Sequence, residues 1–229
     1  MGNRRSPVDI DSLWRATSVA RPEMAPLSGD QSFDVAIIGG GYTGLSTARY
    51  LAKAGLSPVV LEANRIGWGA SGRNGGVVSG KFRTGFKDIA ARYGLDSARS
   101  MHDLGLEAVE HVGRLVDELG IEGADYRPSG SLRCAHNAHT LDVLKSEAAW
   151  LRETLGDRGI SILSAGEVTA ETGSRGFTGG MLSTHGGVIH PLNFVLGLAA
   201  GLKAEGSAIH EGTPVTRFGR DGAGVVVET

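Results

Sequence analysis

The apolar residues near the start of this chain follow two spacings in quick succession. Val35–Ile38 is a continuous apolar run, and the stretch that continues to about Ala54 has apolar residues at helical spacing. Gly55 ends the helical pattern, and Pro58–Glu62 is a second short apolar run that finishes on an acid. Short apolar runs are typical of buried strands, whereas a three- and four-residue spacing is typical of helices. Residues 34–63 are therefore predicted to form a strand, a helix and a second, parallel strand.

The rest of the chain alternates helical patterns with short apolar runs. The predicted helices cover 96–120, with Asp96 as the N-cap, 139–155 and 191–205, and Ser164 with Glu167 matches a capping box for a brief helix. The predicted strands cover 160–163, 179–184 and 207–211, with a turn into a strand over 126–135 and a hairpin of 213–218 with 224–228. The strand at 207–211 is expected to be the third strand of the sheet that begins near residue 34.

Three glycines stand between the first predicted strand and its helix. Gly39, Gly41 and Gly44 have the spacing G-x-G-x-x-G. The first permits a sharp turn, the second lets a diphosphate approach the backbone, and the third lets the helix pack closely on the strand. The unpaired N–H groups and the positive dipole end of the helix then stabilise the phosphates. With a strand before it and a helix after it, the motif predicts a dinucleotide site in a Rossmann-like α/β fold.

Glu62 indicates which nucleotides this site can take. It lies 18 residues after Gly44, at the predicted carboxyl end of the second strand. A carboxylate in that position accepts hydrogen bonds from both hydroxyls of an adenosine ribose and repels a 2′-phosphate, so NADP is disfavoured.

The next segment, residues 66–76, holds five glycines in eleven positions. Such a loop can lay backbone N–H groups along a long cofactor and admit a flat ring against the main chain, although a mobile surface loop is the alternative. Gly67–Gly76, together with Ser12–Thr17 and Gly39–Ser46, resembles the FAD-dependent amine and amino-acid oxidoreductases of the D-amino acid oxidase, glycine oxidase and sarcosine oxidase superfamily. The likeness is greatest to the bacterial γ-glutamylputrescine oxidase and L-pipecolate oxidase type, and it continues more loosely to the end of the chain.

The resemblance implies FAD as the cofactor and an amine or amino acid as the substrate. A hydride would pass from the carbon that bears nitrogen to the flavin, and the electrons would go on to oxygen or another acceptor. The expected contacts of the flavin end are Ala70, Ser71, Arg73, Asn74 and Gly75, those of the ADP part are Gly39, Gly41, Gly44 and Glu62, and the backbone at Val215 would meet the adenine. Tyr42, Thr43, Ala63 and Gly69 complete the expected cofactor-binding set. Because the flavin supplies the chemistry, no metal and no catalytic side chain are assigned.

Four segments follow from these patterns. Residues 1–32 are expected to be a polar tail, in which Asp11–Trp14 forms a short docked helix anchored by Trp14 or else exposes Trp14 to a partner. The remaining segments are 33–80, the first part of the FAD-binding domain, 81–186, an inserted α+β substrate domain, and 187–229, which returns to the FAD-binding domain.

Composition adds a few exclusions. Of the 229 residues, 41% are hydrophobic, which is enough for a substantial core, and 23 basic residues nearly balance 25 acidic ones, so bulk charge predicts neither a nucleic acid nor a membrane surface as a partner. Cys134 is the single cysteine and is expected to be a small apolar strand residue. No apolar stretch is long enough to span a membrane, and the myristoylation and twin-arginine patterns at Met1–Ser6 are interpreted as accidental. The expected location is the cytoplasm.

Histidines offer little further chemistry. His102 and His111 lie nine residues apart, which does not give the facing pair of a metal site on one helix, so solvated or locally bonded imidazoles are expected. His190 precedes the helix predicted to begin at Pro191, and it either approaches the flavin or caps that helix.

Three functions stay open. The first is an FAD-dependent amine or amino-acid oxidoreductase, complete or represented by its N-terminal half, because members of the resembled family continue beyond the equivalent of Thr229. The second is an NAD-dependent Rossmann dehydrogenase, which gives no role to residues 67–76. The third is a non-catalytic nucleotide-binding fragment, since a half-length chain would expose an unpaired sheet edge.

Overall fold

The computed structural model describes residues 11–222 and 224–229, so the patterns at Met1–Ser6 lie outside the described residues. In chain order the helices are α1 (Leu13–Ala16), α2 (Tyr42–Lys53), α3 (Phe86–Tyr93), α4 (Leu95–Glu118), α5 (Ala138–Thr154), α6 (Ala165–Thr172) and α7 (Pro191–Ala204). The strands are β1 (Val35–Ile38), β2 (Pro58–Leu61), β3 (Val77–Val78), β4 (Ser131–Ala135), β5 (Ile160–Ser164), β6 (Gly179–Ser183), β7 (Gly187–Val188), β8 (Ala208–His210), β9 (Arg217–Asp221) and β10 (Gly224–Glu228). Unit 1 comprises the described residues up to Gly76 with those of 115–125 and 190–229, and unit 2 comprises 77–114 and 126–189.

Unit 1 is built on a three-stranded parallel sheet in the order β1-β2-β8. Val35 pairs with Pro58 across the first ladder, and Val59 pairs with Ala208 across the second. All four residues of the central strand β2 are buried, as expected for a parallel strand with neighbours on both sides. The predicted strand, helix and parallel strand are therefore confirmed, and so is the third strand of the same sheet.

Helix α7 supplies much of the core of unit 1. Its buried residues run from Pro191 to Leu202, and Val195 and Ala199 are fully buried. Glycine is needed where the chain approaches this helix closely, since a Cβ on Gly201 would lie only 2.8 Å from Leu119 Cδ2. Beyond β8 a hairpin of β9 with β10 forms as predicted, although its first strand lies at Arg217–Asp221 and not at 213–218, and both strands are largely exposed.

Residues 11–32, which were expected to be a polar tail, are hydrogen-bonded to the rest of unit 1. The backbone N–H of Val19 donates to Asn193 Oδ1 at 2.9 Å, and that of Leu27 donates to Thr213 Oγ1 at 3.0 Å. Within the segment α1 forms at Leu13–Ala16, close to the short helix expected at Asp11–Trp14, and the rest is irregular. What composition did not reveal is that buried side-chain oxygens of unit 1 satisfy its backbone.

Unit 2 contains an antiparallel sheet in the order β4-β6-β5, with α5 packed against it. Their shared core is an apolar cluster that includes Leu144, Ala148 and Met181. The sequence correctly predicted these strands, α5, and the capping box, in which the Ser164 hydroxyl accepts from the Glu167 N–H while the Glu167 carboxylate accepts from the Ser164 N–H.

Three features of unit 2 differ from the predictions or were missed. Helix α3 was not predicted, although Phe86, Ile89 and Tyr93 recur at helical spacing. Asp96 lies within the first turn of α4 and not before it, because that helix already begins at Leu95. The antiparallel pair β3 and β7 has two residues in each strand, which is too short for any alternation to be recognised.

Candidate cofactor site

Strand β1 ends in a turn that requires glycine at two positions for different reasons. Gly39 has φ of +108°, in the left-handed region that favours glycine, and its N–H donates to the carbonyl oxygen of Leu61 at 2.9 Å. A Cβ on Gly44 would overlap the carbonyl oxygen of Gly39. Any side chain at position 44 would therefore push α2 away from the end of β1.

Gly41 keeps the space in front of the N-terminus of α2 clear. A Cβ on Gly41 would lie 2.8 Å from Ser71 Oγ and 3.7 Å from Ser71 Cβ. The N–H of Tyr42, the first residue of the helix, donates to that same Ser71 hydroxyl at 3.0 Å. The first N–H groups of a helix lack partners within the helix and favour an anionic group in front of them. Thr43 follows in the same first turn.

The carboxylate of Glu62 faces this turn. Its Oε2 accepts from the N–H of Gly40 at 2.7 Å, and its Oε1 accepts from the N–H of Asn64 at 2.8 Å. Ala63, which lies between Glu62 and Asn64 in the chain, is exposed. Each carboxylate oxygen can accept more than one hydrogen bond, so both retain capacity for a further donor. The acid lies at the carboxyl end of β2, close to the helix that follows β1.

Backbone hydrogen bonds hold the segment after β8 beside Glu62. The N–H of Thr213 donates to the carbonyl oxygen of Glu62 at 2.9 Å, and the N–H of Gly212 donates to that of Asn64 at 3.0 Å. Val215 follows two residues later and is partly buried. The residue expected at the adenine and the acid expected at the ribose therefore lie on neighbouring stretches of chain.

Asn74 organises the glycine-rich loop. Its Nδ2 donates to the carbonyl oxygens of Ala70 and Ser71 at 3.2 and 3.0 Å, and its Oδ1 accepts from the N–H of Gly76 at 2.8 Å. Ala70–Gly72 forms a short 3-10 turn within the loop. These hydrogen bonds give the loop a defined shape despite its glycine content.

Two further features of this loop are an open main chain at two glycines and the guanidinium group of Arg73. Added Cβ atoms on Gly69 or Gly75 would have no neighbour within 4 Å, so the main chain there is open on one side. The guanidinium of Arg73 lies over the ring of Trp68, 4.4 Å from its centroid, an arrangement typical of a cation–π contact.

The phenol of Tyr42 is tied to two neighbours. It donates to the carbonyl oxygen of Pro191 at 2.9 Å and lies 3.5 Å from Asn74 Nδ2. Burial raises the pKa of Tyr42, and the hydrogen bond with Asn74 offsets this only in part. The phenol is therefore neutral at physiological pH and serves as a donor.

The sequence left two roles open for His190, approaching the flavin or capping α7, and in the structure His190 caps α7. Its Nδ1 accepts from the N–H of Asn193 at 3.1 Å, which caps α7. Its Nε2 lies 3.0 Å from Thr17 Oγ1, and its ring meets that of Trp14 edge-on with centroids 5.0 Å apart. Burial, the largest effect, lowers the pKa of His190, so the ring is neutral near pH 7 and can accept at Nδ1. The indole of Trp14 is anchored in turn by a hydrogen bond to Asn74 O at 2.8 Å.

Unit 2 contains a polar cluster that the sequence did not predict. Asp157 Oδ2 lies 3.1 Å from His102 Nε2, and Asp157 Oδ1 lies 2.9 Å from His185 Nε2. His102 is buried, which rules out the solvated alternative for it. Burial, the largest single effect, raises the pKa of Asp157. Hydrogen bonds from His102, His185 and the Gly159 N–H together lower the pKa by more than burial raises it, so the net pKa lies below its ordinary value. The three side chains are too far apart in sequence for any motif to connect them.

Similarity to known proteins identifies the family. The model of the DAO family, described as FAD-dependent oxidoreductases, matches residues 34–229. The chain belongs to this family. Membership confirms FAD as the cofactor expected from the glycine-rich loop and gives no support to the NAD-dependent alternative.

Curated relatives include two bacterial oxidoreductases. The chain is 37% identical over 185 residues to γ-glutamylputrescine oxidoreductase of Escherichia coli, a match that covers 81% of this chain and 43% of the relative. It is 32% identical over 226 residues to a probable oxidoreductase of Rhizobium meliloti, covering 98% of this chain and 52% of the relative. This DAO-family chain thus spans about half the length of the curated relatives it matches.

Solved structures show the same fold at lower identity. Glycine oxidase from Geobacillus kaustophilus superposes with a TM-score of 0.67 at 22% identity, covering 85% of this chain and 50% of that one. L-amino acid deaminase from Proteus myxofaciens superposes with a TM-score of 0.72 at 21% identity, covering 89% and 43%. Both superpositions show that this chain shares its fold with these two proteins.

The described residues contain neither a metal-binding cluster nor a membrane-spanning helix. No group of three or more histidine, cysteine or acidic side chains within residues 11–222 and 224–229 could hold a metal ion. In the same part of the chain, no helix is both long enough and apolar enough to cross a membrane.

Proposed function

We propose that this chain binds FAD at the glycine turn of unit 1 and acts in the oxidation of an amine or amino acid at its C–N bond. The bound flavin would accept the hydride from the carbon that bears nitrogen. The observation that carries the proposal is the combination of Gly39, Gly41 and Gly44 with the Glu62 carboxylate at one end of the parallel sheet.

The diphosphate of FAD is assigned to the N-terminus of α2. Gly41 has no side chain to obstruct it, and the first-turn N–H groups, those of Tyr42 and Thr43 among them, provide donors and the positive end of the helix dipole. The Ser71 hydroxyl, which now accepts from the Tyr42 N–H, can rotate and donate to a phosphate oxygen. A cationic side chain is therefore not required at this position.

The adenosine is assigned to the space beside Glu62. The Gly40 and Asn64 N–H groups fix the carboxylate at 2.7 and 2.8 Å, so it is already oriented before a ribose arrives. Such preorganisation lowers the entropic cost of binding. The backbone near Val215, held beside Glu62 through Thr213, would cover the adenine.

The flavin end is assigned to the glycine-rich loop. Asn74 fixes the shape of this loop, while Gly69 and Gly75 leave its main chain open to a flat ring. The remaining expected contacts are Ala63, Ala70, Ser71 and Arg73. Chemistry of this kind needs orientation of the substrate and exclusion of water more than it needs acid or base side chains, so none is assigned here.

The substrate class follows from the relatives. A protein of which this chain matches 43% is a γ-glutamylputrescine oxidoreductase, so an amine that carries an amino-acid group is the first substrate to try. The electron acceptor is proposed to be oxygen or another oxidant, as in other flavin-dependent oxidations of amines.

The test begins with the colour of the purified chain. We expect a flavin absorbance spectrum, and FAD, not FMN, in the supernatant after the protein is denatured. A colourless protein that NAD stabilises against heat would overturn the assignment. The second step adds γ-glutamylputrescine, pipecolate, sarcosine or glycine without oxygen and follows loss of the flavin absorbance, then admits oxygen and measures peroxide. If FAD is bound but none of these compounds reduces it, the cofactor assignment survives and the proposed activity does not.

A further inference from the structure

Unit 2 contains a cavity of about 520 Å³ whose lining includes none of the residues assigned to FAD, and this volume is typical of pockets for small ligands. Its walls come from residues 79–88, from α4 and α5, and from the ends of the antiparallel strands. We propose that this cavity binds a small carboxylic acid with an apolar body, whose carboxylate pairs with the ammonium group of Lys81. The inference does not rest on the proposed function of unit 1.

Aromatic and aliphatic side chains contribute to the lining of the cavity. Phe82, Phe86 and Trp150 all line it, as do Leu106 and Val143. The rings of Phe82 and Phe86 meet edge-on with centroids 5.9 Å apart, and Phe82 remains 39% exposed. An apolar ligand that covers these rings would remove hydrocarbon surface from water, which favours binding roughly in proportion to the area buried.

Two of the acidic side chains in the cavity already have partners. Both oxygens of Glu147 lie 2.6 Å from Arg133 Nη1, and Asp157 is held by His102 and His185. Binding a cationic ligand at either carboxylate would compete with these existing bonds. The ligand charge that the cavity favours is therefore negative.

Lys81 has no comparable partner among the described residues. The hydrogen bond recorded for its ammonium group is to Ser131 Oγ, at a long 3.4 Å. Although its side chain is accessible, nearby protein atoms lower the pKa of Lys81 by desolvation, and the charge of Arg133 lowers it further, with Glu147 acting in the opposite sense. A ligand carboxylate would stabilise the charged ammonium and form a charge-assisted hydrogen bond with it.

The position of Lys81 is fixed by its neighbours in the chain. A Cβ on Gly80 would lie 2.6 Å from the carbonyl oxygen of Gly105, so this part of the chain packs directly on the backbone of α4.

The charged residues of the cavity are four cations, Lys81, Arg83, Lys87 and Arg133, and three acids, Asp88, Glu147 and Asp157. Asp88 lies in the first turn of α3, where the helix dipole stabilises it. The balance of charge in the cavity is positive.

The first test compares phenylacetate with its neutral amide, phenylacetamide, by isothermal titration calorimetry on the whole purified chain near pH 7. The two probes share their ring and shape, so the difference isolates the carboxylate. We expect saturable binding of phenylacetate that is at least about tenfold tighter than that of phenylacetamide, the factor typical of a hydrogen bond to a charged group. Equal affinity for the two probes, or no saturable binding of phenylacetate, would overturn the proposal.

The second test assigns the effect to Lys81. Lys81→Met should weaken phenylacetate binding about ten- to a hundredfold and leave phenylacetamide unchanged, whereas Lys81→Arg should retain preference for the acid. Lys145→Met is the matched control, since Lys145 lies on α5 outside the cavity wall and pairs with Asp142. Thermal unfolding of each variant separates loss of the site from loss of the fold. Unchanged phenylacetate affinity in a folded Lys81→Met variant would refute the role of Lys81.

Discussion

The glycine turn of unit 1 and the polar cluster of His102, Asp157 and His185 in unit 2 are built in opposite ways. The turn consists mainly of backbone, and Gly39, Gly41 and Gly44 contribute by lacking side chains. The cluster depends on polar side chains brought together from distant positions of the chain. A site of the first kind is damaged by adding atoms, and a site of the second kind by removing them.

This difference also explains how each site tolerates change. Adding a methyl group beside a rigid backbone forces main-chain movement, which packed interiors resist. Removing one partner from a buried polar cluster leaves the others without hydrogen bonds in a medium of low dielectric constant, which is also costly. The following substitutions test the contrast, beginning with the largest expected effect.

Asp157→Ala should lower the free energy of unfolding by about 3 kcal/mol, because it leaves two histidines without their shared acceptor. Urea unfolding followed by circular dichroism measures the loss, with Asp142→Ala on the exposed face of α5 as the control. Bound FAD should not change in the folded protein, since the residue belongs to unit 2. An equal effect of both substitutions would show that the cluster contributes nothing special.

The same cluster predicts a pH dependence. The pKa of Asp157 lies below its ordinary value of 3.8, so its ionised form stabilises the folded state above that pH, and this contribution disappears as the pH falls through the lowered pKa. Between pH 5 and roughly pH 2 the wild type should therefore lose its advantage over Asp157→Ala. A constant difference in stability across that range would contradict the lowered pKa.

Gly44→Ala should destabilise unit 1 by about 2 kcal/mol, since the added Cβ would overlap the Gly39 carbonyl oxygen. Gly219→Ala is the matched control, because a Cβ there has no neighbour within 4 Å. Thermal unfolding of the two variants gives the comparison. If they melt together, the backbone contact between α2 and the end of β1 is not tight.

Glu62→Gln tests the carboxylate that faces the glycine turn. The amide would lose one of the acceptors that now bind the Gly40 and Asn64 N–H groups, and would lose the charge proposed to hold the ribose. We expect the dissociation constant for FAD to rise about tenfold. Titration of the flavin-free protein with FAD, monitored by flavin fluorescence, measures the change, and Glu228→Gln on the terminal strand provides the control. An unaltered dissociation constant would remove Glu62 from the site.

His190→Ala should have the smallest effect, a loss of about 1 kcal/mol from the missing N-cap of α7. The rate at which an amine reduces the flavin should stay unchanged, because the ring is committed to Asn193, Thr17 and Trp14. His190→Asn, which preserves a capping side chain, should recover most of the stability. A large fall in the reduction rate with no loss of stability would restore the flavin-contact interpretation.

The sequence predicted the strand, glycine turn and helix of unit 1 because their determinants are local. Each element between residues 34 and 63 follows from nearby spacing, and the capping box of Ser164 with Glu167 is equally short in range. The docking of residues 11–32 could not be predicted, because its polar backbone is satisfied by side chains such as Asn193, 174 positions away from Val19. The cluster of His102, Asp157 and His185 could not be predicted for the same reason, since tertiary packing alone brings these three side chains together.

The central claim is that the diphosphate of FAD lies against Gly41 in front of α2, and the FAD content of purified Gly41→Val tests it most directly. The atoms within 4 Å of an added Cβ belong to the Ser71 side chain, whose hydroxyl can rotate away, so the variant should fold and melt close to the wild type. It should nevertheless contain almost no FAD, whereas the Gly219→Val control should contain as much as the wild type. A folded Gly41→Val protein with a full complement of FAD would contradict the assignment.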